Sequence, residues 1–262
     1  MKYIIWMSVI GFILQSCSDG GVDKKGFQVN EISENEAGEK VVRLPIDSLT
    51  LETKPRNVLL TRNKNHRLVP VYKVNYDKKT GKPFTGSNAY HPNYWSYGES
   101  EGNNWNNNFM PGFEAVYGYN FVNISHYNTS DKRQKLFFEK PVLIKTLYYP
   151  AFSKDTLDYE AIERDFYMVS VYNEDTNGDG FINIKDLRRI YYFDINGDEK
   201  QPIVPENYSV LSSEYDPGND YMYIFARKDE NENGEMEYEE STNIFWVDLK
   251  EPSKNGIHYG AE

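Results

Sequence analysis

The sequence predicts a mainly β protein, and three observations carry that reading. Aromatic side chains make up 15% of the 262 residues, although the mean hydropathy is only -0.72. Flat, bulky side chains of this kind suit pleated sheets better than helical bundles. From Val41 onward, short apolar or alternating runs recur between clusters of Gly, Pro, Asn and Asp, as strands and turns require. The last third of the chain also repeats itself as strand, acidic loop and strand. Helical spacing is nearly missing; only Tyr159 to Arg164 suggests a short helical turn.

The chain opens MKYIIWMSVIGFILQSCSDGG. Lys2 provides a positive start, and Tyr3 to Leu14 form an apolar run of twelve residues. A bilayer needs about 20, so this run has the length of a signal sequence rather than a span. Cys17, the only cysteine, follows at once. Leu14-Gln15-Ser16-Cys17 resembles the bacterial lipoprotein box. That resemblance implies a signal peptide over residues 1–16, lipidation of Cys17, and a protein held to a membrane at the bacterial cell envelope, periplasmic or surface-exposed. Acyl burial would supply the hold, at about 0.8 kcal/mol per CH₂. With no second cysteine to pair, the fold has to be secured without disulfides.

Ser18 to Lys40 has few apolar residues and no periodicity, which predicts a flexible tether over 17–40 including Cys17. VVRLPI, NVLLT, RLVPVYKVNY, NFVNISHY, KLFFE and PVLIKTLYYP then read as strands of a β region over 41–150. Within it, Gly86 to Gly112 is crowded with Asn and aromatic residues and lacks strand alternation. Loops this long are uncommon without a purpose. Tyr94, Trp95, Tyr97 and Trp105 would offer flat faces to a glycan or a peptide, or would pin the loop to the body.

The repeat lies in the region 151–262. YMVSVYNEDTNGDGFINIKDLRRIYYFDI, from Tyr167, aligns without a gap on YMYIFARKDENENGEMEYEESTNIFWVDL, from Tyr221, at an offset of 54 residues. Each unit has another candidate strand before it, Val142 to Tyr149 and Ser209 to Tyr215, and EKQPIVP reads as an edge strand after the first. Four short antiparallel strands in about fifty residues is the pattern of a propeller blade.

Charge singles out the same region. Between Glu206 and Glu262 there are fourteen acidic and four basic residues, so nearly all of the formal charge of -11 lies there. Such a surface repels phosphate backbones, which argues against nucleic acid, and attracts cations.

The two repeated loops supply oxygens at the spacing a calcium ion needs. Calcium takes six to eight oxygen ligands, and a twelve-residue loop can wrap them round one point. In DTNGDGFINIKD, Asp175, Asn177 and Asp179 stand at positions one, three and five. Gly180 at six permits the sharp turn, Phe181 gives its carbonyl at seven, Asn183 stands at nine and Asp186 closes at twelve. Ile182, at eight, is expected to pin the loop to the core. In DENENGEMEYEE the set is Asp229, Asn231, Asn233, the Glu235 backbone, Glu237 and Glu240, with Met236 in the apolar place. Both match the EF-hand pattern, the first with Asp instead of Glu at twelve, as in the dockerin-type variant it resembles. Asn, Asp and Gly favour turns in any case, but two matches in register within one repeat favour Ca²⁺. Strands flank both loops, so there is no helix pair to open as in a calcium sensor. The expected role of the ion is structural.

Cys17 together with residues 140–250 resembles the EF-hand-containing lipoproteins of Bacteroidetes, and the C-terminal region is similar to WD40-like, TolB-type propeller blades carrying loops between strands. These resemblances imply a calcium-binding envelope lipoprotein acting as a binding or scaffold module. The alternative is a glycan-acting enzyme or carbohydrate-binding protein using loop 86–112. No nucleophile elbow, HExxH or phosphate-cradling glycine loop occurs, and His66, His91, His126 and His258 are scattered along the chain.

Overall fold

The computed structural model describes residues 26–34, 40–45, 51–77, 79–85, 88–91, 110–118, 120–198 and 200–260, with the backbone alone at 30–34, 40–45 and 88–91. Cys17 and the aromatic set Tyr94, Trp95, Tyr97 and Trp105 lie outside the described residues.

Among the described residues the chain consists of strands joined by turns, bends and irregular segments, with no helix. β1 (Phe27–Gln28), β2 (Asn30–Glu34) and β3 (Lys40–Pro45) come first. They are followed by β4 (Thr53–Pro55), β5 (Leu59–Leu60), β6 (His66–Lys73), β7 (Asn75–Tyr76), β8 (Pro83–Phe84), β9 (Asn88–His91) and β10 (Phe113–Gly118). β11 (Phe121–Asn128), β12 (Arg133–Leu136) and β13 (Leu143–Pro150) lead to a hairpin of β14 (Asp155–Leu157) and β15 (Glu160–Ile162). The repeat supplies β16 (Phe166–Tyr172), β17 (Phe181–Ile182), β18 (Arg189–Asp194) and β19 (Lys200–Pro202). The second unit supplies β20 (Tyr208–Asp216), β21 (Tyr221–Lys228), β22 (Thr242–Asp248) and β23 (Asn255–Tyr259).

Three antiparallel sheets form the body. The first has the order β12-β11-β6-β4, with β5 also on β6; the central one runs β19-β18-β16-β13-β10-β9; the last runs β20-β21-β22-β23. The central sheet is covered on both faces. One apolar cluster joins it to the first sheet through Leu68, Tyr72, Phe121 and Ile124 against Leu147, Tyr149, Tyr167, Val169 and Phe193. A second cluster joins it to the last sheet through Phe113, Phe166, Met168 and Ile190 against Met222, Ile224, Phe245 and Val247.

This layering explains the patterns in the sequence. β16, FYMVSVY, is buried at all seven positions because neither face meets water. β6, β21 and β22 have one covered face and alternate buried and half-buried residues along nearly their whole length. The repeat is equally plain in space: β13, β16, β18 and β19 occupy the same order as β20 to β23. The first unit inserts the β14–β15 hairpin where the second makes a tight turn from Asp216 to Tyr221.

Two expectations are corrected. Glu160 to Ile162 is strand β15, not part of a helical turn; its partner β14 supplies the ladder bonds a lone helical turn would have to make internally. The span expected to be a tether contains β1, which pairs with β17 in register Phe27↔Ile182 and Gln28↔Phe181. Phe27 is buried with Val122, Leu143, Tyr172 and Ile182. Two residues are too few for periodicity, and their partner lies some 150 positions away.

The histidines are less scattered than their spacing suggests. Nδ1 of His66 lies 3.0 Å from Nε2 of His126, and both rings are buried. Nε2 of His126 also stands 3.2 Å from the Ile195 carbonyl. A carbonyl only accepts, so this nitrogen carries the proton and His66 accepts through Nδ1. The pair bridges the adjacent strands β6 and β11 of the first sheet as neutral rings, with the Ile195 carbonyl, just past β18 of the central sheet, beside it. Burial pushes His126 down to about 4, the neighbouring His66 and Lys135 adding to it against Asp194. Burial, with Arg67 and Lys135, also lowers His66, against Asp194 and Asp131.

A histidine depressed on folding contributes stability that is complete above its unfolded value and is lost as pH falls through its folded one. We expect thermal stability to decline between pH 6.5 and 4 by on the order of 2 kcal/mol from this pair. His126→Gln should flatten that decline relative to wild type. Parallel pH profiles in the two proteins would contradict the assignment.

Candidate metal centre

Loop 1 (175–186) links β16 to β18, and loop 2 (229–240) links β21 to β22, the equivalent strands of adjacent sheets. Backbone conformation repeats between them. Position six is Gly180 at φ 84° and Gly234 at φ 74°; position four is Gly178 at φ 67° and Glu232 at φ 57°. Glutamate resists this left-handed conformation, whereas Asn accepts it at lower cost. Glu232→Asn is expected to stabilise the protein by about 0.5–1 kcal/mol, raising its melting temperature by a few degrees. A lower melting temperature would show that the Glu232 side chain holds the loop in some other way.

The hydrogen bonds repeat as well. Asp175 accepts from the amides of Asp179 at 3.0 Å and Gly180 at 2.8 Å. Asp229 accepts from Asn233 at 3.1 Å and Gly234 at 3.0 Å. The position-three amide oxygens, of Asn177 and Asn231, each accept from the position-five N–H at 3.0 Å. The position-five side chains of Asp179 and Asn233 accept from the amides of Phe181 at 3.0 Å and Glu235 at 2.8 Å. At position twelve, Asp186 accepts from Thr176 at 2.8 Å and Asn183 at 2.7 Å. Glu240 accepts from Glu230 and Glu237, both at 3.0 Å. Asp and Glu at position twelve thus reach the same two amides despite their different lengths.

Position nine faces the others through amide groups. Asn183 Nδ2 lies 3.2 Å from Asp179 Oδ2. In loop 2 the polarity is reversed, and Glu237 accepts from Asn231 at 2.9 Å and Asn233 at 3.0 Å.

All twelve sequence-selected residues take part in these bonds, Phe181 and Glu235 through their main-chain amides, and the two loops are wired alike. Asp186, Asn183, Asp229 and Glu240 are buried. Burial pushes the Asp186 carboxyl up to about 6, with the nearby Asp175 charge adding to it and three amide bonds opposing it. A carboxylate has about four lone-pair positions, so Glu240 keeps capacity beyond its two main-chain amides, whereas Asp186 also has the Asn177 amide at 3.5 Å and the Thr176 hydroxyl at 3.3 Å beside it. Among the described residues, carboxylate, His and Cys side chains do not gather three at a time at metal-holding distance. A bound ion would therefore depend on amide and main-chain oxygens beside the carboxylates, a hard donor set of the kind calcium accepts.

Two features were not visible in the sequence. The loops touch each other: Thr176 Oγ1 donates to the Gly234 carbonyl at 2.6 Å, and Asn177 Nδ2 donates to Glu235 Oε1 at 2.8 Å. Asp186 and Glu235 form an isolated antiparallel bridge. A Cβ on Gly234 would lie 1.9 Å from the Thr176 carbonyl oxygen, so no side chain fits there. The apolar position eight also differs between the loops. Ile182 is buried in the cluster with Phe27, whereas Met236 is exposed.

No family model matches the chain, and no curated protein is significantly similar to it. A crystal structure of a nidogen/laminin complex is similar over 90% of this chain and 76% of that chain, at 7% identity and a TM-score of 0.27.

Proposed function

We propose that this protein is a calcium-stabilised lipoprotein of the bacterial cell envelope that serves as a binding or scaffold module. The observation that carries the calcium reading is the equivalent wiring of loops 1 and 2, each closed by a buried carboxylate held on the second and ninth amides. A turn needs no such closure; two turns arriving at it independently, across units of limited identity, would be a coincidence. Bound calcium would supply positive charge to loops rich in carboxylates and would draw the side-chain and main-chain oxygens of each loop toward one point. The chain's own part is to pre-shape the ring: the glycines at position six make the turn, and the amides fix both ends.

The role is structural in this reading because strands enter and leave both loops. The loops join the central sheet to the last one through Thr176 and Asn177, so ordering them secures a sheet interface. The stacking of three sheets, two of them with one strand order, supports propeller-like blades. Lipidation of Cys17 rests on the LQSC box and supplies the envelope address.

Calcium binding is tested by titrating the chelator-treated protein and its Asp175→Ala and Asp229→Ala variants calorimetrically. Two binding events in wild type and one in each variant are expected. A wild type that takes up no calcium at 2 mM would leave the loops as turns only.

A further inference from the structure

We infer that the outer edge of loop 1 is the docking site of the N-terminal segment around Phe27, and that calcium in loop 1 governs this docking. The inference rests on the calcium reading above and adds a regulatory consequence to it.

Loop 1 has two sides. One closes the ring through Asp175, Asp179 and Asp186. The other presents the backbone of residues 180–182, and β1 pairs with it: Phe27 opposite Ile182, Gln28 opposite Phe181, and the Val29 amide donating to the Gly180 carbonyl at 2.8 Å. The approach is close. A Cβ on Gly26 would stand 1.6 Å from the Ile182 carbonyl oxygen, and Gly26 has φ 53°, so only glycine lets the chain pass. Phe27 then enters the apolar cluster beside Ile182.

The edge exists only while 180–182 holds its course. That course is set by Gly180 at φ 84° and by the amide bonds of Gly180 and Phe181 to the Asp175 and Asp179 carboxylates. Mutual repulsion of the ring carboxylates without a cation loosens this span and removes the edge. Loading and docking are therefore linked, and linkage is reciprocal: displacing β1 must weaken calcium binding by the factor that calcium strengthens docking.

The consequence is positional. Eight residues separate Cys17 from Gly26, and they reach at most about 28 Å. With residues 27–29 released, Phe27 and Val29 both leave this cluster and the next side chain along the chain packed into it is Leu51, which leaves a far longer stretch between anchor and body. Calcium would then set how closely the body is held to the membrane.

Hydrogen exchange at 27–29, measured on the full chain with 2 mM calcium and with excess EGTA, tests this, with calorimetric binding run alongside. Exchange at these amides should quicken at least tenfold in EGTA. Gly26→Val, which changes no residue of loop 1 but cannot fit against the Ile182 carbonyl, should exchange fast in both conditions and bind calcium in loop 1 about 5-fold more weakly. If calcium binds but exchange at 27–29 is the same with and without it, the docking inference fails and the calcium reading stands. If wild type binds no calcium, both fail.

Discussion

Asp220→Ala is expected to destabilise the protein by about 3–5 kcal/mol, the largest loss from any single polar side chain in the body. Asp220 is fully buried in the turn between β20 and β21, and its carboxylate pairs in bidentate fashion with Arg164, at 2.8 Å and 2.7 Å. The guanidinium has further tasks. It donates to the Leu249 carbonyl at 2.6 Å and to the Pro111 carbonyl at 3.0 Å, and Tyr215 adds its hydroxyl to Asp220 at 3.0 Å. Central and last sheets are thereby tied at the end of the strands opposite the two loops. Removing the carboxylate strands a buried cation, and the cost is mostly that unpaired charge rather than the worth of the pair.

Asp220 also has φ 58°, so alanine adds backbone strain. Asp220→Asn separates the two terms, since Asn tolerates this conformation and loses only the charge. It should cost clearly less than alanine. The double change Arg164→Met with Asp220→Asn should recover part of the loss. For a chain of this size the alanine variant should melt roughly 10 °C lower. A drop of only 1–2 °C would mean that water reaches Arg164 and that the pair is not a lock.

Much of the body was legible because its signals are local. The runs in β6, β11 and β13 and the acidic loops each carry their pattern within a dozen residues. The gapless repeat then placed β16, β18, β21 and β22 in equivalent positions. What the sequence hid was partnership over distance. The Arg164–Asp220 pair, 56 positions apart, and the His66–His126 pair, 60 apart, leave no periodic trace. KLFFE reads as a strand to Glu139, but β12 ends at Leu136. Phe137 and Phe138 instead turn inward against Phe193, with the Phe137 ring stacked at 4.6 Å. Their amides stay satisfied, Phe137 donating to the Ile124 carbonyl at 3.0 Å and Phe138 to Asn123 Oδ1 at 3.3 Å, so both aromatic faces are buried without loss of backbone bonds. Thr176 offers another instance: it stands at position two, to which the loop pattern assigns no task, yet its hydroxyl joins the two loops.

The second large effect concerns calcium itself. Each loaded loop should add about 2–3 kcal/mol at a 30- to 100-fold excess over Kd. The two loops together should then shift the melting temperature by roughly 5–15 °C. Because the loops share Thr176, Asn177 and the Asp186–Glu235 bridge, losing one should also blunt the response of the other. The informative quantity is the increment due to calcium, since Asp175→Ala and Asp229→Ala each remove amide bonds and lower stability even without the ion.

The most direct test is therefore thermal unfolding of wild type, Asp175→Ala, Asp229→Ala and the double variant, each with 2 mM calcium and with excess EGTA. A wild-type increment of several degrees or more is expected, with a reduced increment in each single variant and none in the double. Equal melting temperatures for wild type in both conditions would contradict the calcium reading.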